Sequence, residues 1–257
     1  MPDPLVACSW PPLAPRHAAA LRDAVAFVLA EVDAVGVVAA GTIVRGRPHA
    51  ASDLDLHVIH EAPVRRRVQR YFGELVPTEI FVNPPAAVRA YFAAEHETGR
   101  PATAHMLATG HVVLARHPVV DELRREAAAW LARPSPPSAP ALLRARYDAA
   151  IRFEDAVDVA RDDPATAAML VGRAVTAMLE TWCRTHLGAI PRGKDLLAEV
   201  AAHDPRLGAT ARAVFADGPL ASRLAAAEQV ADRTVGARGF FEWDSGAEPV
   251  PERSASA

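Results

Sequence analysis

The chain has 257 residues, a formal net charge of −3 from 28 Lys and Arg against 31 Asp and Glu, and a 51% hydrophobic share. That share is too high for a disordered chain and enough for a packed core, and the slight acidity argues against a protein that lives on nucleic-acid phosphates. The length suggests one domain with a smaller companion; 56 alanines point to a helix-rich chain, and 27 arginines beside a single lysine, Lys194, with 22 prolines, reflect a GC-rich bacterial coding sequence rather than a function.

The first residues, MPDPLVACSWPPLAP, show neither a basic region nor an apolar one of the kind a secretory signal needs. No run approaches ~18 apolar residues, so no membrane span is expected. Cys8 and Cys183 are too few for a zinc site or a disulfide framework, and free thiols in a cytoplasmic protein are the expectation. Residues 16–31 carry apolar residues at helical spacing. AVGVVAAG, 34–41, reads as a buried strand ending in glycine, and GTIVRGRPHAAS as a loop or short helical turn. DLDLHVIH, 53–60, alternates polar and apolar residues as a strand does. Residues 64–75 are expected to be helical and basic on one side, with Arg65, Arg66 and Arg67 as a solvated helix face. TEIFVN, 78–83, alternates again and stops at Pro84 and Pro85. Helices are expected over 86–98, 102–109 and 119–132, with a short strand at 111–115.

RPSPPSAPA, 133–141, is the clearest boundary and reads as an extended linker. Helices are then expected over about 142–161, 165–187, 194–203, 206–216 and 220–235. The predicted architecture is therefore mixed α/β (α+β): a mixed-sheet domain over 1–132, the linker, a helical bundle over 142–243 and a disordered tail over 244–257.

The chemistry concentrates in the first half. Asp53 and Asp55, two apart on a strand, project from one face with Cα atoms roughly 6.5–7 Å apart. Carboxylates at ~5 Å repel by about 3 kcal/mol at an effective dielectric of 20. Glu79 alternates with Ile80 and Val82 and so points away from the apolar side of its own strand. If the two strands are neighbours, three carboxylates share a surface, and such oxygen-rich sites suit Mg²⁺ or Mn²⁺. Two-ion sites of this kind serve phosphoryl and nucleotidyl transfer. Gly41, twelve residues before Asp53, permits close backbone approach, and a turn opening at Thr42 would aim its N–H groups at an anion, with Arg45 adding a fixed charge.

These residues carry a resemblance. Gly41-Thr42-Ile43-Val44-Arg45-Gly46, followed by Ser52-Asp53-Leu54-Asp55-Leu56, resembles the signature of the DNA-polymerase-β-type nucleotidyltransferase superfamily, in particular its aminoglycoside- and lincosamide-modifying branch. The match spans about residues 34–83, and the helical half resembles that group in layout alone. It implies that Asp53 and Asp55 bind the metal, that Glu79 completes the metal site or acts as base, and that Gly41, Thr42 and Ser52 line the triphosphate. Thr42 stands where the family usually has serine. A lysine from the helical domain often reaches the triphosphate in such enzymes, which makes Lys194 a candidate. The implied donor is ATP with Mg²⁺ or Mn²⁺, and the implied acceptor a hydroxyl of a small molecule such as an aminoglycoside. Two competing readings are a protein-adenylylating, antitoxin-like enzyme and a non-catalytic nucleotide-binding module.

Glu154, Asp155 and Asp158 are alternative bases; Glu154 and Asp158, four apart, share a helix face that would suit a cationic acceptor if it lined the cleft. His57 shares the face of Asp53 and Asp55, and His60 points the other way. Trp182 and the run Phe240-Phe241-Glu242-Trp243 are expected to pack.

Overall fold

The computed structural model describes residues 4–247. The chain divides into two compact units meeting between Pro134 and Ser135. The first begins with α1 (Pro15–Glu31), continues through β1 (Ala34–Ala40), α2 (Gly41–Val44), β2 (Leu54–His60), β3 (Arg66–Phe72) and β4 (Val76–Asn83), and closes with α3 (Pro85–Thr98), α4 (Ala102–Thr109), β5 (His111–Ala115) and α5 (Val119–Leu131).

The five strands form one mixed sheet in the order β3-β4-β2-β1-β5. β1 runs antiparallel to both β2 and β5, β2 is parallel to β4, and β3 is antiparallel to β4. Strand alternation sorts the two faces. On one face Val37, Ala39, Leu54, Leu56, Val58, Ile80 and Val82 pack with Leu21, Val25 and Val28 of α1. On the other, Val38 and Ile59 are covered by Phe92, Leu107, Val120 and Leu123 from α3, α4 and α5. That second cover stops short of Asp55 and Glu79, so one end of this face is left polar and half open.

β3 corrects the helix expected over 64–75. Val68, with Phe72, packs toward the α1 core, whereas Arg67 and Gln69 face the other way. The turn from β3 to β4 is tight: Gly73 and Leu75 take left-handed φ of 52° and 53°, and the Leu75 N–H donates to the Gly73 carbonyl at 2.9 Å. Pairing along β4 satisfies one edge of β3, which is why a segment with long, helix-compatible arginine stems settles as a strand. The three arginines are therefore not a solvated helix face. Arg65 donates to the Tyr91 hydroxyl at 3.0 Å, Arg66 lies 3.5 Å from Glu31, and Arg67 contacts Glu79.

The second unit is helical: α6 (Ala139–Val159), α7 (Pro164–His186), α8 (Leu196–His203), α9 (Pro205–Val214) and α10 (Leu220–Thr234). The expected linker is shorter than the prolines suggest. Ser138 caps α6 by accepting the Ala141 N–H at 3.3 Å, and Pro140 is accommodated in the first turn, where a missing N–H costs nothing. Asp163 and Asp204 cap α7 and α9 in the same way. Phe153, Val175, Met178, Leu207 and Val230 form the bundle core. α8 and α9 approach so closely that a Cβ on Gly208 would lie 2.5 Å from the Ala201 Cα. Residues 237–247 follow α10 without helix or strand, and the rest of the expected disordered tail, 248–257, lies outside the described residues. No helix among the described residues is long and apolar enough to cross a membrane. Neither Cys8 nor Cys183 forms a disulfide; burial, with Glu199 and Glu180 adding negative charge, pushes the Cys183 thiol up to about 11.

Candidate functional site

The polar end of the sheet face is assembled where β1 ends and β2 and β4 begin. Ala40, the last residue of β1, pairs with Asp55 of β2. Asp55 pairs in turn with Glu79 of the parallel strand β4. Paired Cα atoms on adjacent strands lie about 5 Å apart, so the ladder itself fixes this spacing. Asp53 immediately precedes β2, and Asp53, Asp55 and Glu79 are all half-buried.

The chain leaves β1 through Gly41, whose φ is +90°, straight into the single turn of α2. A Cβ on Gly41 would sit 2.7 Å from Asp55 Oδ2 and 3.5 Å from the Asp53 carbonyl oxygen. Only glycine accommodates both that backbone conformation and that proximity. Beyond it the loop is held internally. The Thr42 hydroxyl, buried, donates to Ser52 Oγ at 2.9 Å, and the His49 N–H donates to the same oxygen at 2.8 Å. Those contacts use the acceptor side of Ser52 and leave its own O–H to donate elsewhere. Arg45 caps the end of α2 and is exposed.

Farther along the same face the surroundings dry out. His57 is 2% exposed, is stacked against Phe81 with ring centres 6.4 Å apart, and has Nε2 3.5 Å from Asn83 Nδ2. Burial lowers its pKa to about 4, so the ring is neutral at ordinary pH. His60, on the opposite face, has its Nε2 2.8 Å from the Val64 carbonyl oxygen. A cavity of about 390 Å³ near His60, bounded by Glu31, Asp33, Glu61 and Arg66, lies away from the three acids.

The fit to a divalent ion differs among the acids. Asp53 and Asp55 offer oxygen donors beside the one position, Gly41, where a side chain would crowd the Asp55 carboxylate. Glu79 is engaged elsewhere: Arg67 Nη2 donates to Oε1 at 3.1 Å and to Oε2 at 3.0 Å, and Gln69 Nε2 donates to Oε1 at 2.5 Å. Among the described residues no group of three or more His, Cys, Asp or Glu side chains is gathered so as to hold a metal ion. Sequence reasoning missed Arg67 and Gln69 because it placed them on a helix. The alternation of Arg67, Gln69 and Tyr71 against Val68, Arg70 and Phe72 was the available signal.

The remaining candidates lie in the second unit. Lys194 is exposed in the turn before α8, next to an ion pair between Arg192 and Asp195. Glu154 Oε2 accepts the Phe240 N–H at 2.8 Å and so anchors the segment after α10, while Asp155 and Asp158 are exposed. Phe241 and Trp243 pack on Tyr147, with ring centres 5.5 and 5.3 Å away, and Trp182 stacks on His186.

The mixed sheet, its glycine turn between the first two strands, the helices on both of its faces and the helical unit that follows make a fold similar to that of a solved nucleotidyltransferase-like protein. A nucleotidyltransferase-like protein from Exiguobacterium sibiricum 255-15 has a crystal structure similar to this chain, with a TM-score of 0.50 at 14% sequence identity, covering 84% of this chain and 73% of that one. No protein-family model matches the sequence, and no curated protein matches it.

Proposed function

We propose that the protein is a nucleotidyltransferase that moves a nucleoside monophosphate, AMP from ATP by resemblance, onto a hydroxyl of a small-molecule acceptor. The observation that carries this reading is the rung formed by Asp55 and Glu79, with Asp53 beside it and the Gly41 turn against it. The fold likeness supports the same class.

Asp53 and Asp55 would hold Mg²⁺ or Mn²⁺, which supplies Lewis-acid stabilisation of charge on the triphosphate and the leaving pyrophosphate. The turn at Gly41 and Thr42 and the O–H of Ser52 bind phosphate oxygens, and Arg45 contributes positive charge at the rim. Glu79, through a lone pair that Arg67 and Gln69 leave open, accepts the proton of the acceptor hydroxyl. The hydroxyl oxygen forms a bond to the α-phosphorus as the bond from that phosphorus to the β-phosphate oxygen breaks, and pyrophosphate departs. The protein is read as acting in the cytoplasm.

The test is metal-dependent pyrophosphate release from ATP across a panel of hydroxyl-bearing acceptors, aminoglycosides among them. Release that vanishes in Asp53→Asn and in Asp55→Asn is the expected result. Full activity in both variants would refute the site, and ATP binding without turnover over the whole panel would refute the transferase.

A further inference from the structure

We infer that Arg67 is a positioning residue that, with Gln69, holds Glu79 apart from the divalent-ion site, so that an ion is taken by Asp53 and Asp55 alone. The inference rests on the reading of Asp53 and Asp55 as the ion's ligands.

Backbone pairing sets Glu79 beside Asp55, and two carboxylates so placed would ordinarily attract a shared cation. Here the cation is already supplied by the protein. One guanidinium nitrogen of Arg67 sits between the two carboxylate oxygens of Glu79, and the Gln69 amide donates to one of them. The register accounts for both contacts. Gln69 lies directly across from Glu79 on the antiparallel ladder, and Arg67 lies across from Phe81, two residues farther along the same face. The Arg67 guanidinium carbon rests 5.1 Å from the centre of the Phe81 ring, which braces it over the strand that carries Glu79. Arginine keeps its charge at any working pH and, being planar, meets ring and carboxylate together; lysine would keep the charge and lose the planar contact. A fixed positive charge at this point neutralises Glu79 and disfavours an ion that would use it as ligand.

The experiment is Mn²⁺ binding to the full chain without nucleotide, followed by electron paramagnetic resonance, which needs no acceptor and no turnover. Ligand and outer-partner changes at metal sites commonly move affinity by about 10–100-fold. On that scale Arg67→Ala tightens Mn²⁺ binding about tenfold or more, Glu79→Gln alone changes it less than about twofold, and the double variant loses the gain. Arg67→Lys falls between the unaltered chain and Arg67→Ala. The Arg67 side chain is 59% exposed on an edge strand, so the variants retain the fold, with thermal melting as the control. A tenfold loss on Glu79→Gln alone, or identical affinity with and without Arg67, overturns the inference. Undetectable binding in both the unaltered chain and Arg67→Ala overturns it as well. Failure of the transferase reading would show separately, as Mn²⁺ binding that survives both Asp53→Asn and Asp55→Asn.

Discussion

Replacing Gly41 by alanine separates what the turn does for the backbone from what it does for the acids. Its φ of +90° is one that a side chain resists, at a cost of about 1–2 kcal/mol. The added Cβ would also lie 2.7 Å from Asp55 Oδ2, whereas ordinary contact begins near 3.4 Å, so the carboxylate must retreat by roughly 0.7 Å. A carboxylate at the end of a side chain moves cheaply, so stability registers the backbone term and little else. Chemistry is less forgiving: displacement of a reacting group by ~1 Å can cost on the order of 100-fold. Gly46 is the matched control, with φ of +73° and nothing within 4 Å of the added atom. Equilibrium urea unfolding should therefore show similar losses for Gly41→Ala and Gly46→Ala, about 1–2 kcal/mol each. Metal-dependent pyrophosphate release should drop about 10–100-fold in Gly41→Ala and stay within about twofold in Gly46→Ala. Equal activity in the two variants would refute the argument that Gly41 exists to make room for Asp55.

His57 is buried as the neutral ring, with a pKa of about 4 in the fold against 6.5 when free. Between those values the unfolded chain binds a proton that the folded chain refuses, so stability present above pH 6.5 falls as pH drops and levels off below about pH 4, by about 3 kcal/mol in all. Urea unfolding in the presence of a chelator should show the unaltered chain losing about 2 kcal/mol more than His57→Leu between pH 7 and pH 5; parallel losses would contradict a buried, uncharged ring. In the second unit, Gly208→Ala forces a Cβ to within 2.5 Å of Ala201 and must spread α8 from α9. The expected cost is about 1–3 kcal/mol, and an unchanged melting temperature would show that the two helices do not cross so tightly.

What the sequence made legible was local. DLDLHVIH alternates over eight residues, of which the last seven form a strand, and the glycine after AVGVVAA does turn the chain into a short helix. The helices of the second unit announce themselves through Asp-Pro and Gly-Pro punctuation, because those residues cap or interrupt helices through their own backbone. The strand β3 left only a weak alternation in the sequence, broken by Arg70 on its inner side, and was decided non-locally. RRVQRYF is neutral between helix and strand on propensity alone, and its preference is decided by pairing with Val76–Val82. The consequence reached the site, since reading Arg67 as solvated on a helix removed the group that engages Glu79. Nor does the spacing of Asp55 and Glu79, twenty-four residues apart in sequence, foretell that they occupy the same rung. Their register depends on β3 folding back so that β4, and not β3, lies against β2.

That insertion of β4 beside β2 has a mechanical corollary. The gap from Asp55 to Glu79 is measured by peptide hydrogen bonds, in the middle of a five-stranded sheet, rather than by any contact between the two side chains. Mutation at either position changes the chemistry presented while the distance stays where the ladder puts it. Adjustment at this rung is thereby confined to side-chain rotation and to the α2 turn, and a lineage could exchange one donor for another here without rebuilding its scaffold.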